Sequence, residues 1–275
     1  MPGKKQRGTT GSATDVSAAG TPGKLELIAL RGLPPVEPGD DLGVLIIEAL
    51  QADHLELQQG DVIIVAQKVV SKAENCYAYL KTVEVSAQAE ELAARTDKDP
   101  RQVQLVLQES REVLRVRPGV IIVEHRNGYV HANAGIDRSN IESDPDNPRV
   151  LLLPENPDQS AAQLREQIAS ATGVRPQVII NDSFGRAWRN GTVGVAIGCA
   201  GLQPLHNQVG ERDLFGNVLE VTEPAVADEL AAAASLLMGQ AAEGCPVVLA
   251  RGLDIASAES GSAALVRERS MDLFR

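Results

Sequence analysis

The stretch VIIVEHRNGYVHANAG, residues 120–135, decides the fold class. Val120-Ile121-Ile122-Val123 and the run from Tyr129 to Ala134 each read as a strand, and Arg126-Asn127-Gly128 lies between them. Asn-Gly supplies the left-handed backbone that a tight antiparallel turn needs. Hairpins in a chain that also carries helical patterns point to an α+β fold rather than a doubly wound parallel sheet.

Upstream, Leu25 to Leu30 reads as a strand ended by Gly32-Leu33-Pro34-Pro35, and Asp41 to Leu50 as a short amphipathic helix. Val62-Ile63-Ile64-Val65-Ala66 is a continuous apolar run of the kind found in strands buried on both faces. Ser86 and Asp99-Pro100 are helix starts, predicting helices over 87–96 and 100–115. Downstream, a loop rich in Asp, Pro and Asn leads to a strand at Leu151–Leu153 and a helix over 159–171. Further strands are expected at Val178–Ile180 and Val193–Ile197. Glu223-Pro224 opens an Ala-rich helix that Gly239 ends, and Val247 to Ala250 is a last core strand. No internal repeat is visible.

The 275 residues are 43% hydrophobic, enough for a sizeable core in one large domain or two smaller ones. Lys and Arg total 26 against 37 Asp and Glu, a net charge of -11 with no basic run. That balance excludes nucleic-acid polymers and anionic membranes as first partners. With only three Phe, three Tyr and one Trp, the core must be built from Val, Ile, Leu and Ala. Cys76, Cys199 and Cys245 are far apart, form no CxxC pair and are odd in number, which points to reduced thiols. No apolar run approaches the roughly 20 residues of a membrane span, so the chain is expected to be cytoplasmic. Residues 1–23 are mostly Gly, Ser, Thr and Ala with almost nothing to bury, and are expected to be a disordered tail.

The common short motifs fail. There is no GxxxxGK[ST], no HExxH and no GxSxG, and Gly194, Gly198 and Gly201 are spaced GxxxGxxG rather than GxGxxG. Four polar segments at the ends of apolar runs remain. Gln67-Lys68-Val69-Val70-Ser71-Lys72 could meet phosphates with its lysines, or present them to solvent. Asn133 to Asn140 offers Asp137 and Asn140 as oxygen donors of the kind a hard divalent cation takes, or a structural Asx-turn. Asn181-Asp182-Ser183-Phe184-Gly185-Arg186-Ala187-Trp188-Arg189 puts a carboxylate at a strand end beside a hydroxyl. Arg186 and Arg189 can bind anions there, and Phe184 and the only Trp are close by. Met238 to Pro246 is a glycine-containing turn between a long helix and a strand, and read alone is a helix C-cap.

In this order, GLPPVEPGDDL (32–42), DVIIVAQKVVSKAE (61–74), NAGIDRSN (133–140), NDSFGRAWRNGTVGVAIG (181–198), VTEPAVADELAAAASLLMG (221–239) and PVVLARG (246–252) resemble the coenzyme F420-0:γ-glutamyl ligase family. The resemblance covers about 25–255, inside a ligase domain taken as 24–275. It implies a two-lobed α+β fold in an intertwined homodimer. It also implies a GTP-dependent ligase joining L-glutamate to the lactyl carboxylate of F420-0 and extending a γ-linked tail through an acyl phosphate. Two Mg2+ or Mn2+ ions and K+ are implied as cofactors.

Carried over residue by residue, the resemblance places Leu33, Pro34, Pro35, Val36, Gln67, Lys68, Lys72 and Asn140 at the GTP site. The turn Met238, Gly239, Gln240, Ala241, Ala242, Glu243, Gly244 and Cys245 completes it. Asp137 and Asp182 correspond to ligands of one metal, and Ser183 and Gln240 to ligands of the second. Arg186, Trp188 and Arg189 are candidates for the acceptor substrate, with Phe184 beside them; no general base is identified. Two positions depart from the pattern: Ser183 stands where Thr also occurs, and Gln240 where some members have Glu. Two alternatives stay open: the same chemistry on a 3-phosphoglycerate-type F420-0, or a non-catalytic nucleotide-binding homologue, which only Gln240 favours.

Overall fold

The computed structural model describes residues 23–273. In chain order the elements are β1 (Glu26–Ala29), α1 (Leu42–Ala52), β2 (Val62–Ala66), α2 (Gln67–Ala73) and β3 (Tyr77–Tyr79). Next come α3 (Ala87–Thr96), α4 (Pro100–Gln108), β4 (Ser110–Arg117), β5 (Val120–His125), β6 (Val130–Ala132) and β7 (Arg149–Leu151). The chain continues with α5 (Pro157–Thr172), β8 (Gln177–Arg186), β9 (Arg189–Ala200), α6 (Val226–Met238) and β10 (Val247–Arg251). The tail expected over 1–23 lies, apart from Gly23, outside the described residues.

Val62-Ile63-Ile64-Val65 is apolar on both faces, and such a strand is stable only between two covering layers. It lies at the centre of a five-stranded sheet in the order β1-β10-β2-β8-β9. Alternate residues serve opposite layers. Ile63, Val65, Val178, Ile180 and Leu249 pack with Ile46, Leu50, Leu164 and Ile168 of α1 and α5. Val62, Ile64, Ile179 and Val248 pack with Ala227, Leu230, Ala231 and Ala234 of α6. Opposite Ile180 and Asn181, β9 carries one extra residue, so the register passes from Gly198 to Ala196. This bulge puts Ile197 on the α5 side while Ala196 and Cys199 face α6.

A second, smaller core lies under the three-stranded sheet β4-β5-β6, where Ile121 and Val123 meet Ala89, Leu92, Val103 and Val106 of α3 and α4. The two-stranded ladder β3-β7 has its own small cluster of Leu80, Leu105 and Val150. The α+β class is therefore the observed one, with several sheets and two main cores. Helix starts follow the capping chemistry: Asp41, Ser86, Asp99 and Asn156 each accept a backbone N–H of the first turn, and Pro occupies the first turn of α4 and α5.

Several boundaries differ from expectation. The helix expected over 100–115 stops at Gln108, and Ser110–Arg117 is instead β4, paired with β5 across Pro118-Gly119. Val113 and Val116 are β-branched and pack on the smaller core, so strand pairing prevails over a helical continuation. The strand expected through Ala134 ends at Ala132, because Asn133 and Ala134 turn into the left-handed region (φ 52° and 55°). The strand expected at Leu151–Leu153 is Arg149–Leu151. Residues 67–73, read as part of a polar segment at a strand end, form α2. Residues 181–191, read as a polar segment at the end of a strand, lie in the distal part of one long β8–β9 hairpin. Among the described residues no helix is long and apolar enough to cross a membrane.

Candidate functional site

Sheet topology gathers the polar segments at one end of the large sheet. β10 is antiparallel to both β1 and β2, so its first residues lie beside the last of each (Val248 opposite Ala29, Val247 opposite Val65). β8 runs parallel to β2 and loses that partner after Asn181, which pairs with Ala66. Four segments emerge here: Leu33–Val36 after β1, α2 after β2, Asp182-Ser183 in β8, and the turn before β10. Together with His131 to Asn140 from the smaller lobe they line a cavity of about 680 Å³. The ends of strands leave backbone and side chains unpaired by the ladder, which is why ligand sites collect at such places.

Helical geometry places Lys68 and Lys72 on one face of α2, four residues apart. The Lys68 ammonium donates to the carbonyl and hydroxyl oxygens of Ser139, both at 3.1 Å, and lies 3.4 Å from Asp137 Oδ1. Burial lowers the pKa of Lys72, and the nearby charges of Lys68 and Arg149 lower it further, against an opposing pull from Glu37. Asp137 is pinned by an isolated bridge with Leu151, its N–H donating to the Leu151 carbonyl at 2.9 Å. Burial raises the pKa of the Asp137 carboxyl; Asp182 adds to the rise and Lys68 opposes it.

The turn 238–245 is compact because Gly239 has φ 70° and a Cβ there would lie 2.1 Å from Glu243 Cδ. The Glu243 carboxylate accepts the Ala241 N–H at 2.8 Å. Two bonds attach the turn to its surroundings: Asn140 Nδ2 donates to the Ala241 carbonyl at 2.8 Å, and Gln240 Nε2 donates to Ser183 Oγ at 2.9 Å. Asn140 itself is left-handed (φ 54°), a conformation Asn tolerates well.

Every residue expected at the nucleotide and metal sites therefore lines this cavity: Leu33, Pro34, Pro35, Val36, Gln67, Lys68, Lys72, Asp137, Asn140, Asp182, Ser183 and 238–245. The Gln67 amide, however, is buried and donates to Ser71 Oγ within α2. Arg186, Trp188 and Arg189 are not among the lining residues. They stand at the β8–β9 tip, where Arg186 donates to the Gly191 and Asn190 carbonyls and Trp188 is 86% exposed. Asp182 is not at a strand end, as expected, but inside β8, one residue past the last β2 pairing.

His131 was not expected at the site, since the four histidines do not cluster in sequence. Its Nε2 lies 3.2 Å from Asp182 Oδ2 and its ring meets Phe184 edge-on at 3.9 Å. Phe184, Tyr129 and His125 continue a row of rings away from the cavity. Its signal in the sequence was the alternation of β6 after Asn127-Gly128.

The donor chemistry fits divalent cations. Burial and the neighbouring Asp182 make the ionised form of Asp137 costly; a cation beside the two carboxylates would offset that cost, and hydroxyl and amide oxygens complete a hard shell. Among the described residues no three His, Cys, Asp or Glu side chains group as a metal site. Such an ion would thus rely on Ser183, Gln240 and substrate oxygens as well.

Comparison with known proteins identifies the family. Residues 32–252 match the family model described as F420-0:Gamma-glutamyl ligase. The chain is 47% identical to the coenzyme F420:L-glutamate ligase of Methanothermobacter thermautotrophicus, over 91% of this chain and 99% of that protein. It is 46% identical to the protein of the same name from Methanopyrus kandleri, over 87% and 93%. With that of Archaeoglobus fulgidus it shares 42% identity over 92% and 97%. The chain belongs to the F420-0:gamma-glutamyl ligase family.

Proposed function

We propose that this protein is a GTP-dependent ligase that joins L-glutamate to the lactyl carboxylate of coenzyme F420-0 and extends a γ-linked glutamate tail. The observation that carries the reading is the single cavity in which two lysines, two carboxylates and a glycine-containing backbone turn converge. Relatives that match nearly end to end are named coenzyme F420:L-glutamate ligases.

The chemistry balances as follows. A carboxylate oxygen of the acceptor attacks the terminal phosphorus of GTP, the bond to the bridging oxygen breaks, and GDP leaves. The glutamate amine attacks the acyl phosphate, an amide forms, and phosphate and a proton depart. Positioning and electrostatics dominate phosphoryl transfer. Lys68 and Lys72 offset phosphate charge, and the 238–245 turn and Leu33–Val36 hold the nucleotide. Asp137 and Asp182 would hold one Mg2+ or Mn2+ and Ser183 and Gln240 the other, the ions together with K+ neutralising phosphate oxygens. Lys68 orients Asp137 and opposes the rise in its pKa, since it contacts both that carboxylate and Ser139.

The same proposal includes a homodimer. It is supported by the strongly exposed apolar side chains of Leu214, Phe215, Val221 and Leu236, which a second copy would cover.

The test is mass spectrometry of the product after incubation with F420-0, L-glutamate, GTP and Mn2+. The expected result is F420 with one or more added glutamates and one GDP per amide bond. GTP hydrolysis that proceeds equally without acceptor and glutamate would refute it.

A further inference from the structure

Ile197 is the extra residue of the β9 bulge and has no partner opposite it in β8. Its carbonyl oxygen instead accepts two hydroxyls, that of Tyr129 and, at 2.9 Å, that of Ser262. Both donors are buried. Burial pushes the Tyr129 phenol up to about 12, so it keeps its hydrogen to donate. Tyr129 directly precedes β6, the strand that leads the smaller lobe into the cavity.

Ser262 belongs to the segment that follows β10, and that segment is fastened at both ends. At the large sheet, the Ser262 N–H donates to Asp158 Oδ1 at 2.8 Å, an oxygen that also accepts the Cys199 N–H at 2.8 Å. Gly261 passes so close to this carboxylate that a Cβ would lie 2.3 Å from Asp158 Oδ2. At the smaller lobe, Val266 covers Gly128, where a Cβ would lie 3.2 Å from Val266 Cγ1. Arg269 then pairs with Glu112 of β4 and, at 3.3 Å, with Glu124 of β5.

The cavity is divided between the same two bodies, each with its own core. Across it they are joined by side chains that a ligand would engage, Lys68 to Ser139 and Asn140 to Ala241. Tyr129, Ser262, Val266 and Arg269 lie outside the cavity lining, so their contacts persist when a ligand displaces those bonds. We infer that segment 261–269 is a strap that keeps the smaller lobe docked on the large sheet, with Tyr129 as the positioning residue through which it holds 131–140 against the rest of the site. Its effect on turnover rests on the proposed function; the docking itself does not. A looser dock lowers the fraction of molecules with an assembled cavity and weakens apparent affinity in proportion, while saturating ligand restores the assembled state.

The experiment is hydrogen–deuterium exchange with mass spectrometry on the ligand-free full chain, comparing the parent with Tyr129→Phe, Ser262→Ala and the double variant. β6 is an edge strand that contacts β8, so the protection of its amides reports docking. Each lost bond should weaken docking about five-fold, so exchange over 129–140 should quicken about five-fold in the single variants and about 25-fold in the double one. Exchange in β2 and α4, which belong to the two cores, should stay within about two-fold. In the ligase assay the double variant should raise KM for GTP at least about three-fold and leave kcat within about two-fold. Exchange over 129–140 equal to the parent's overturns the inference. Faster exchange in β2 and α4 as well is a general loss of stability and overturns it too, as does local quickening with an unchanged KM. A parent without GTP-dependent ligation overturns the proposed function alone, since the exchange pattern still decides the strap. The single variants decide the point if the double variant folds poorly.

Discussion

Gly194 is where the long hairpin and α6 meet most closely, and adding one methyl group there tests whether that contact sets the site. A Cβ at Gly194 would lie 2.3 Å from the Ala231 carbonyl oxygen, 2.3 Å from Ser235 Oγ and 2.6 Å from Asn181 Oδ1. The first of these is helix backbone, so α6 as a unit must retreat by about 0.7–1 Å to reach a tolerable contact. Overpacking of this kind costs about 2–3 kcal/mol, which for a chain this size lowers Tm by about 4–12 °C. The displacement also reaches the cavity, because α6 ends at Met238, and Gly239 and Gln240 follow directly. The Gln240–Ser183 and Asn181–Ser235 bonds both span the gap that must widen. Misplacement near 1 Å can cost about 100-fold in turnover. Gly185→Ala in the same hairpin is the control: nothing lies within 4 Å of its added Cβ, so Tm should stay within about 1 °C. The measurements are differential scanning calorimetry and F420-0-dependent GDP release. A Gly194→Ala protein that melts with the Gly185→Ala control and keeps full turnover would refute the reasoning.

Three further outcomes are expected. Asp182→Asn removes the charge but keeps the shape, so turnover should fall by at least about 100-fold while circular dichroism stays native; wild-type activity would exclude Asp182 from the site. Lys72 carries a lowered pKa, caused first by burial. Between that value and the unfolded 10.5 the unfolded chain holds the extra proton, so stability rises slightly with pH while GTP affinity falls. Isothermal titration should show this alkaline loss at a lower pH than an ordinary lysine gives. Lys72→Arg should abolish it, and an unchanged profile in that variant would assign the loss elsewhere. Cys245 lines the cavity, Cys199 is buried, and burial raises the Cys76 thiol to about 11. Iodoacetamide followed by peptide mapping should therefore label Cys245 first, with GTP slowing it; labelling indifferent to GTP would argue against nucleotide in this cavity.

Legibility in the sequence followed locality. β2 could be read because a run apolar on both faces has few other uses, and α3 because Ser86 caps it and Asp97 turns left-handed after it. The β5–β6 hairpin was legible from Asn127-Gly128. The α4–β4 junction was not: Arg111 to Val116 carries no breaker, and only pairing with β5 makes it a strand. Pro118-Gly119 was the available clue, since a turn there implies a strand before it. The Val193–Ile197 part of β9 was legible, but the distal half of β8 and the first residues of β9 were not, for a similar reason. Asn181, Asp182, Ser183 and Gly185 on one arm and Arg189, Asn190 and Gly191 on the other favour turns, and the arms are held by pairing with each other through a register from Asp182–Val195 to Gly185–Thr192. At the site, residues in contiguous motifs could be picked from a resemblance. His131 joins through a cross-lobe contact with Asp182, fifty-one positions away, which no local pattern encodes.

The charge balance acquires a more specific meaning at the cavity. A net charge of -11 excluded polyanions as partners of the surface as a whole, yet every proposed substrate is an anion. The cavity does not reverse the balance on its own: Lys68 and Lys72 face Asp137, Asp182 and Glu243 among its lining side chains. Glu243 is partly absorbed by the Ala241 N–H and Asp137 by Lys68. Asp182 Oδ1 accepts the Ser183 N–H at 2.7 Å, and its Oδ2 lies 3.2 Å from His131 Nε2. A protein could correct such a deficit with more arginine, but fixed positive charge would hold GDP and phosphate as firmly as GTP. Under the proposed function, exchangeable ions bound through Asp137, Asp182 and neighbouring oxygens would bring positive charge with the nucleotide and let it leave with the products. On the proposed function the acidity of the cavity is not an obstacle to binding three anions; it would make their binding conditional on metal.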